Sequence, residues 1–314
     1  MALDTCPNRA RPWDDVLTRT GPAAPPRRTT MRGRSSMSLN PYQAMKLVGQ
    51  WSVYGVTIAL PREDVRWMLP DGLELGDQDL THRDTHPVSL YFGHVRDAHM
   101  TFPRFFPPEM TYFEQVVGVP YVYAKRPLCG GRVRGPFFYM PRLFLTNLLA
   151  TIGGILFWGF PKKLVRVLEG TNPAKTDGSY AVCPLYGGGD EILGLQWGAT
   201  GSFEPAIAVP SFQRQLEIMT QPLVSRQPLS VGPLLACSDF DKLWREAEIR
   251  PLRTKTIIQE AFVPGLAPGR YSSEGIDQSP TGAFQLRAPW ELSLPYCCGK
   301  GRAPGAAPNV PSIW

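Results

Sequence analysis

The chain has 314 residues, 43% of them hydrophobic and 19% charged, with a formal net charge of +6. That is enough chain to bury a substantial core in one large domain or two small ones, and it is too apolar to be disordered over most of its length. Seven arginines fall in the first 34 residues, and the body has no basic stripe interleaved with aromatics, which argues against nucleic acid as a partner.

Residues 1–40 are rich in Arg, Pro and Ser, have no apolar period and read as a disordered tail. The arginines suit an organelle-targeting segment, whereas Asp4, Asp14, Asp15 and the prolines do not. Met31 and Met37 leave later starts open. The folded body is expected over 41–296, with 297–314 as a flexible tail. Six cysteines (Cys6, Cys129, Cys183, Cys237, Cys297 and Cys298) form no C-x-x-C pair and follow no secretory signal. Reduced thiols and a cytoplasmic location are therefore expected. The neighbours Cys297 and Cys298 are poorly disposed to bond each other.

Within the body, β-branched and aromatic segments bounded by Gly, Pro and Asp predict strands at 51–60, 88–95, 111–123, 163–169, 192–201, 253–263 and 282–292. Helices are predicted over 61–69, where Pro61 precedes Glu63 and Asp64, over 211–219 and over 241–249. The stretch "YGGGDE" (186–191) lacks a phosphate-cradling signature and reads as a hairpin turn. His82, His86, His94 and His99 lie close together with Asp84 and Asp97, but their spacing fixes no coordination geometry. No metal and no cofactor is expected. Many strands and few helices predict an α+β fold with a large antiparallel-rich sheet curling on itself.

Between Arg142 and Lys162 the chain carries 19 residues without a charge. That length reaches the threshold for a membrane span. Thr146, Asn147, Thr151 and Gly153–Gly154 interrupt the run, however, and Pro141 and Pro161 bracket it. A span over 143–160 is set aside in favour of a buried strand (143–147) running into a short core helix (148–157). Pro161 stops the helix, and Lys162 and Lys163 open the next strand. The chain holds only eight lysines, so an adjacent pair is a weak signal by itself; its apolar setting, beside Trp158 and Phe160, carries more.

An amine forced into such a setting suits imine formation with a carbonyl substrate. A free lysine titrates near 10.4, and desolvation or a neighbouring cation lowers that value. Glu114 is the only charge in "TYFEQVVGV", where Tyr112 and Val116 alternate with Phe113 and Val117. A carboxylate between two apolar faces suits general acid–base work, although the same spacing fits an edge-strand glutamate facing solvent.

At "GPFFYMPRLFLTNLLATIGGILFWGFPKKL" (135–164) the chain resembles the acetoacetate decarboxylase family, which runs from an aromatic strand through a short helix into W-G-[FY]-P-K-K. "EDVRWMLPDGLEL" (63–75) is similar to the family's helix and following strand. The resemblance implies a cone-like β-barrel with a few flanking helices, and a closed oligomeric assembly. It implies a Schiff-base nucleophile at Lys162, an assisting amine at Lys163 and an active-site glutamate at Glu114. Acetoacetate decarboxylase is itself the standard example of a lysine activated by a neighbouring cation. Strict alternation would instead place Lys163 with Val165 and Val167 and bury it. Lys162 is preferred because residues just after a proline need not be in regular strand.

The departures from the family pattern concern charge. Acids before the helix and a G-R-E within it are replaced by Thr146, Leu148 and Gly154–Ile155–Leu156. A family arginine falls near Trp51 and a further acid near Tyr91. Loss of these groups removes the anchor for a small polar substrate. Trp51, Tyr91, Tyr112 and Trp158 are the candidate substrate-binding residues, and the expected substrate is a β-keto acid larger or more apolar than acetoacetate. An imine-dependent aldolase, dehydratase or cyclase is the nearest rival. A non-catalytic protein binding a hydrophobic ligand or a membrane is the rival from another class.

Overall fold

The computed structural model describes residues 45–101, 109–128, 133–169, 176–186, 191–226, 235–242 and 244–298. The expected tail at 1–40 lies outside them, as do residues 187–190 of the expected hairpin turn.

The chain begins with β1 (Lys46–Pro61), α1 (Arg62–Arg66), β2 (Leu73–Leu75), β3 (Thr85–Met100), β4 (Met110–Ala124) and β5 (Phe137–Leu145). Then come α2 (Leu148–Trp158), β6 (Lys162–Glu169), β7 (Asp177–Pro184), β8 (Leu193–Ala199), β9 (Glu204–Pro205) and α3 (Phe212–Met219). The last elements are β10 (Leu223–Arg226), β11 (Leu235–Ser238), β12 (Phe240–Lys242), β13 (Glu248–Ile258), β14 (Gly269–Ser273) and β15 (Phe284–Ser293).

Nine of the strands close a ring in the order β5-β6-β7-β8-β13-β15-β1-β3-β4, because β4 pairs back onto β5. Closure removes the unpaired edges that an open sheet of this size would expose. The pairings are antiparallel except β5–β6 and β5–β10. The α+β expectation, with a sheet curled into a barrel and few helices, is met. Alternation along the strands divides the apolar side chains into two clusters on opposite faces. Trp51, Tyr91, Val95, Tyr112, Val116, Leu143 and Leu145 face one side, where α2 and α3 pack. Tyr54, Leu90, Phe92, Val117, Phe144 and Tyr180 face the other.

Three local expectations need correction. The segment 241–249 is not a helix: β12, a 3₁₀ turn at Trp244–Glu246 and the start of β13 divide it. Its short apolar period is overridden by pairing of Phe240–Lys242 with β15 and of Glu248–Pro251 with the same strand. The helix within the uncharged run is not a core helix all round. Ala150, Thr151, Gly154 and Trp158 are buried, whereas Leu148, Leu149, Ile152, Ile155, Leu156 and Phe157 are exposed. It spans 11 residues, and no helix among the described residues is long and apolar enough to cross a membrane.

The third correction concerns the thiols. Cys237 and Cys298 form a disulfide, Cys183 and Cys297 are disulfide-bonded as well, and no described cysteine is free. Spacing could not reveal this, because the contact comes from pairing of Cys237 with Tyr296 across 59 residues of chain. Tyr296 Oη also donates to Asp239 Oδ1 at 2.8 Å, so residues 293–298 are tied to β11 and β12 rather than hanging free. The Cys237–Cys298 link closes a sequence separation of 61. The Cys237→Ser/Cys298→Ser double variant is expected to lose about 4 kcal/mol of stability by denaturant titration.

Candidate active site

The site forms where β1, β3, β4 and β5 offer their helix-covered face to α2 and the start of β6. Asn147 opens α2: its side-chain oxygen accepts from Ala150 N at 2.9 Å, as a capping residue does. Gly159, at φ 68°, closes it in the left-handed conformation. The chain then turns at Phe160–Pro161 and enters β6, which pairs in parallel with β5 so that Lys162 lies opposite Leu143. Lys162 thereby takes Leu143's face of the sheet, and Lys163 takes Phe144's.

Lys162 extends its amine under α2, where Nζ donates to the Ala150 carbonyl oxygen at 3.0 Å. Gly154 makes this approach feasible: a Cβ there would lie 2.2 Å from Lys162 Cε and Nζ. The ring of Phe160 is 5.9 Å from the ammonium position. Burial pushes the Lys162 amine down to about 8, opposed by the negative charge of Glu114.

Glu114 stands on β4 between Tyr112 and Val116, on the same face as Lys162. Burial pushes its carboxyl up, while Lys162 and a hydrogen bond from the Trp51 side chain pull it back. Tyr112 is pushed well up by burial and by Glu114. On the far face, Tyr180 Oη donates to the Glu114 main-chain oxygen at 2.9 Å, fixing the strand beneath the carboxylate.

Together these groups border a cavity of about 690 Å³, within the range that accommodates whole organic ligands. Among the described residues, Glu114 and Lys162 are the only charged ones that line it. Trp51, Tyr91, Tyr112 and Trp158, expected to contact substrate, all line it. Trp158 is held by its indole N–H, which donates to Ser293 O at 2.8 Å, so it is a fixed wall.

Lys163 is not brought to this group. It is exposed, on the opposite face, and the influences on Lys162 are burial and Glu114. Alternation assigns the faces correctly but not the burial, since Lys163 sits at the open end of β6. The histidines also scatter. His86 is buried with Nε2 2.8 Å from Pro120 O, His94 stacks on Phe113, and His82 is exposed. No metal-holding group of His, Cys, Asp or Glu occurs among the described residues.

Sequence reasoning missed Gly93, Gly154 and the closing wall formed by Phe240, Trp290, Leu294 and Pro295. A glycine pair inside an apolar helix was the available signal for Gly154, since glycine in a helix interior usually has a packing reason.

No curated protein matches the chain in sequence. Solved structures do match in fold. The enduracididine biosynthesis enzyme MppR complexed with pyruvate superposes with a TM-score of 0.55 at 14% identity, covering 84% of this chain and 93% of that one. Acetoacetate decarboxylase from Legionella pneumophila gives 0.54 at 14% identity, with coverage of 85% and 92%. MppR complexed with the condensation product of pyruvate and imidazole 4-carboxaldehyde gives 0.54 at 14%, with 81% and 89%. The sequence profile of the acetoacetate decarboxylase family matches residues 24–223, and the chain belongs to that family.

Proposed function

We propose that the cavity is the active site of a lysine-imine enzyme that decarboxylates an apolar β-keto acid. The observation that carries this reading is the Lys162 amine, lowered to about 8 and facing an apolar cavity in which Glu114 is the only other charge among the described lining residues. At pH 7 roughly a tenth of such an amine is neutral, against a few parts in ten thousand for an ordinary lysine.

Neutral Lys162 Nζ attacks the ketone carbon, and loss of water from the carbinolamine leaves a cationic iminium. The bond between the α-carbon and the carboxylate then breaks. Carbon dioxide departs, and the bonding pair moves into the iminium to give a neutral enamine. Glu114, having taken the proton that the Lys162 ammonium gave up, passes it to the α-carbon, water hydrolyses the imine, and ketone and free amine are released. Among the described lining residues a substrate carboxylate meets no cation but the iminium, and burial penalises its charge, so loss of carbon dioxide relieves an unfavourable charge. The family and the fold support the scheme. Lys163, on the other face, enters it as no more than a distant charge.

A second reading keeps the imine and uses the enamine to attack a second carbonyl carbon. Among the described lining residues no cation is dedicated to a carboxylate, which favours it, and MppR, on the same fold, has been solved with a condensation product.

The test is borohydride trapping across a panel of β-keto acids and ketones of rising chain length, with peptide mass spectrometry and product analysis. A reduced adduct is expected on Lys162, absent in Lys162→Ala, with labelling half-maximal near pH 8 and falling about tenfold per unit below it. Carbon dioxide release separates the two readings. Labelling of neither Lys162 nor Lys163 by any compound would leave a protein that only binds hydrophobic ligands.

A further inference from the structure

We infer that Trp51 is a positioning residue for Glu114: its indole N–H reaches over Gly93 to orient the carboxylate that serves Lys162. The inference rests on the imine reading for its purpose, but not for its geometry.

Three neighbouring strands supply the parts. Val53 of β1 lies opposite Gly93 of β3, and Gly93 lies opposite Glu114 of β4. Trp51 stands one step further along the same face of β1, opposite Val95. Strands β1 and β4 are two spacings apart, roughly 10 Å, and a side chain on β3 would ordinarily separate anything above them. At Gly93 there is none. A Cβ built there would lie 2.6 Å from Trp51 Nε1 and 3.4 Å from Glu114 Cγ, so the indole nitrogen and the carboxylate arm both border the space over the glycine.

The ring is held in that pose. Tyr91 meets it edge-on at 5.8 Å and 61°, and Phe240 meets it at 5.4 Å and 78°. Both partners are buried or packed against the same core. An indole N–H can only donate, so it favours the ionised carboxylate over the protonated acid. It therefore works with Lys162 and against burial, and, being a neutral group that does not titrate, it keeps its proton while Lys162 loses one to become a nucleophile. The titratable groups that line the cavity with Glu114 are Tyr112 on its own strand, Tyr91 on β3 and Lys162 of β6. When the amine becomes neutral to attack, Lys162 stops supporting the Glu114 charge, and Trp51 remains to keep an acceptor ready for the proton.

The role differs from a substrate contact in what it predicts without substrate. Full-length protein labelled with ¹³C at glutamate side-chain carboxyls is titrated by NMR, and the Glu114 signal is assigned by its loss in Glu114→Gln. Trp51→Phe keeps the ring and removes the donor. It is expected to raise the Glu114 midpoint by roughly one to two pH units, the worth of a hydrogen bond to a charged group. Gly93→Ala, which pushes the indole aside, is expected to move the midpoint in the same direction should Trp51→Phe fold poorly. An unmoved or lowered midpoint in folded protein overturns the inference. Borohydride trapping on wild-type protein is run in parallel. Failure to trap any carbonyl compound counts against the imine reading and leaves the midpoint result intact.

Discussion

Glu114→Gln is expected to lower turnover by about 10²- to 10⁴-fold while speeding capture of the substrate on Lys162 below pH 8. The two effects come from one charge. Among the described residues Glu114 is the only carboxyl lining the cavity, so its replacement removes the group proposed to deliver a proton to the enamine carbon. Tyr112 is no substitute, because burial holds its phenol well above the usual range. The negative charge of Glu114 also supports the ammonium form of Lys162, raising a value that burial lowers. With glutamine in its place the support is gone, and the Lys162 midpoint falls below about 8. At pH 6 to 7 a larger fraction of the amine is then neutral, and adduct formation in a single turnover accelerates. Stopped-flow capture and steady-state product release measured on one sample read both effects. If capture and turnover fell together, Glu114 would be a binding or structural group and not the proton carrier.

Much of the frame could be read along the chain. The β-branched and aromatic runs within β1, β3, β4, β6, β8, β13 and β15 became strands because nothing in tertiary packing opposed their pattern. Glu114 stood out for a local reason, as a single charge between apolar neighbours on both faces of β4. What stayed hidden depends on contacts remote in sequence. Ring closure needs β4 to pair back onto β5 through shifted registers, and the Cys237–Cys298 link needs the end of β15 to fold back beside β11. Trp51 and Glu114 meet only because Gly93 lies between them on a third strand. Lys162 was distinguishable from Lys163 by resemblance rather than by period. Alternation gave each lysine a face, but which face carried the cavity was decided by α2, which crosses only one of them.

That crossing leads to the sharpest test of the site. Gly154→Ala is expected to reduce adduct formation on Lys162 by about 10²-fold or more, with no loss of thermal stability. Inside a helix, alanine is ordinarily more stable than glycine by roughly 0.5–1 kcal/mol, so the helix itself gains from the change. The cost falls on the lysine. The new Cβ would lie 2.2 Å from both Cε and Nζ and 2.5 Å from Cδ of Lys162. Such contacts are far inside van der Waals distance, so the end of the side chain must swing away and give up its bond to Ala150 O. Displacing a reacting atom by an ångström suffices for a loss of this size. Gly153→Ala is the matched control. A Cβ there meets nothing nearer than Phe157 Cδ2 at 4.0 Å, so both labelling and melting temperature should hold or rise slightly. If Gly154→Ala labels as well as the parent, the amine works from another pose and the Ala150 contact is incidental. If it labels poorly with its melting temperature unchanged, the glycine at the centre of an apolar helix is there to let a charged side chain pass beneath.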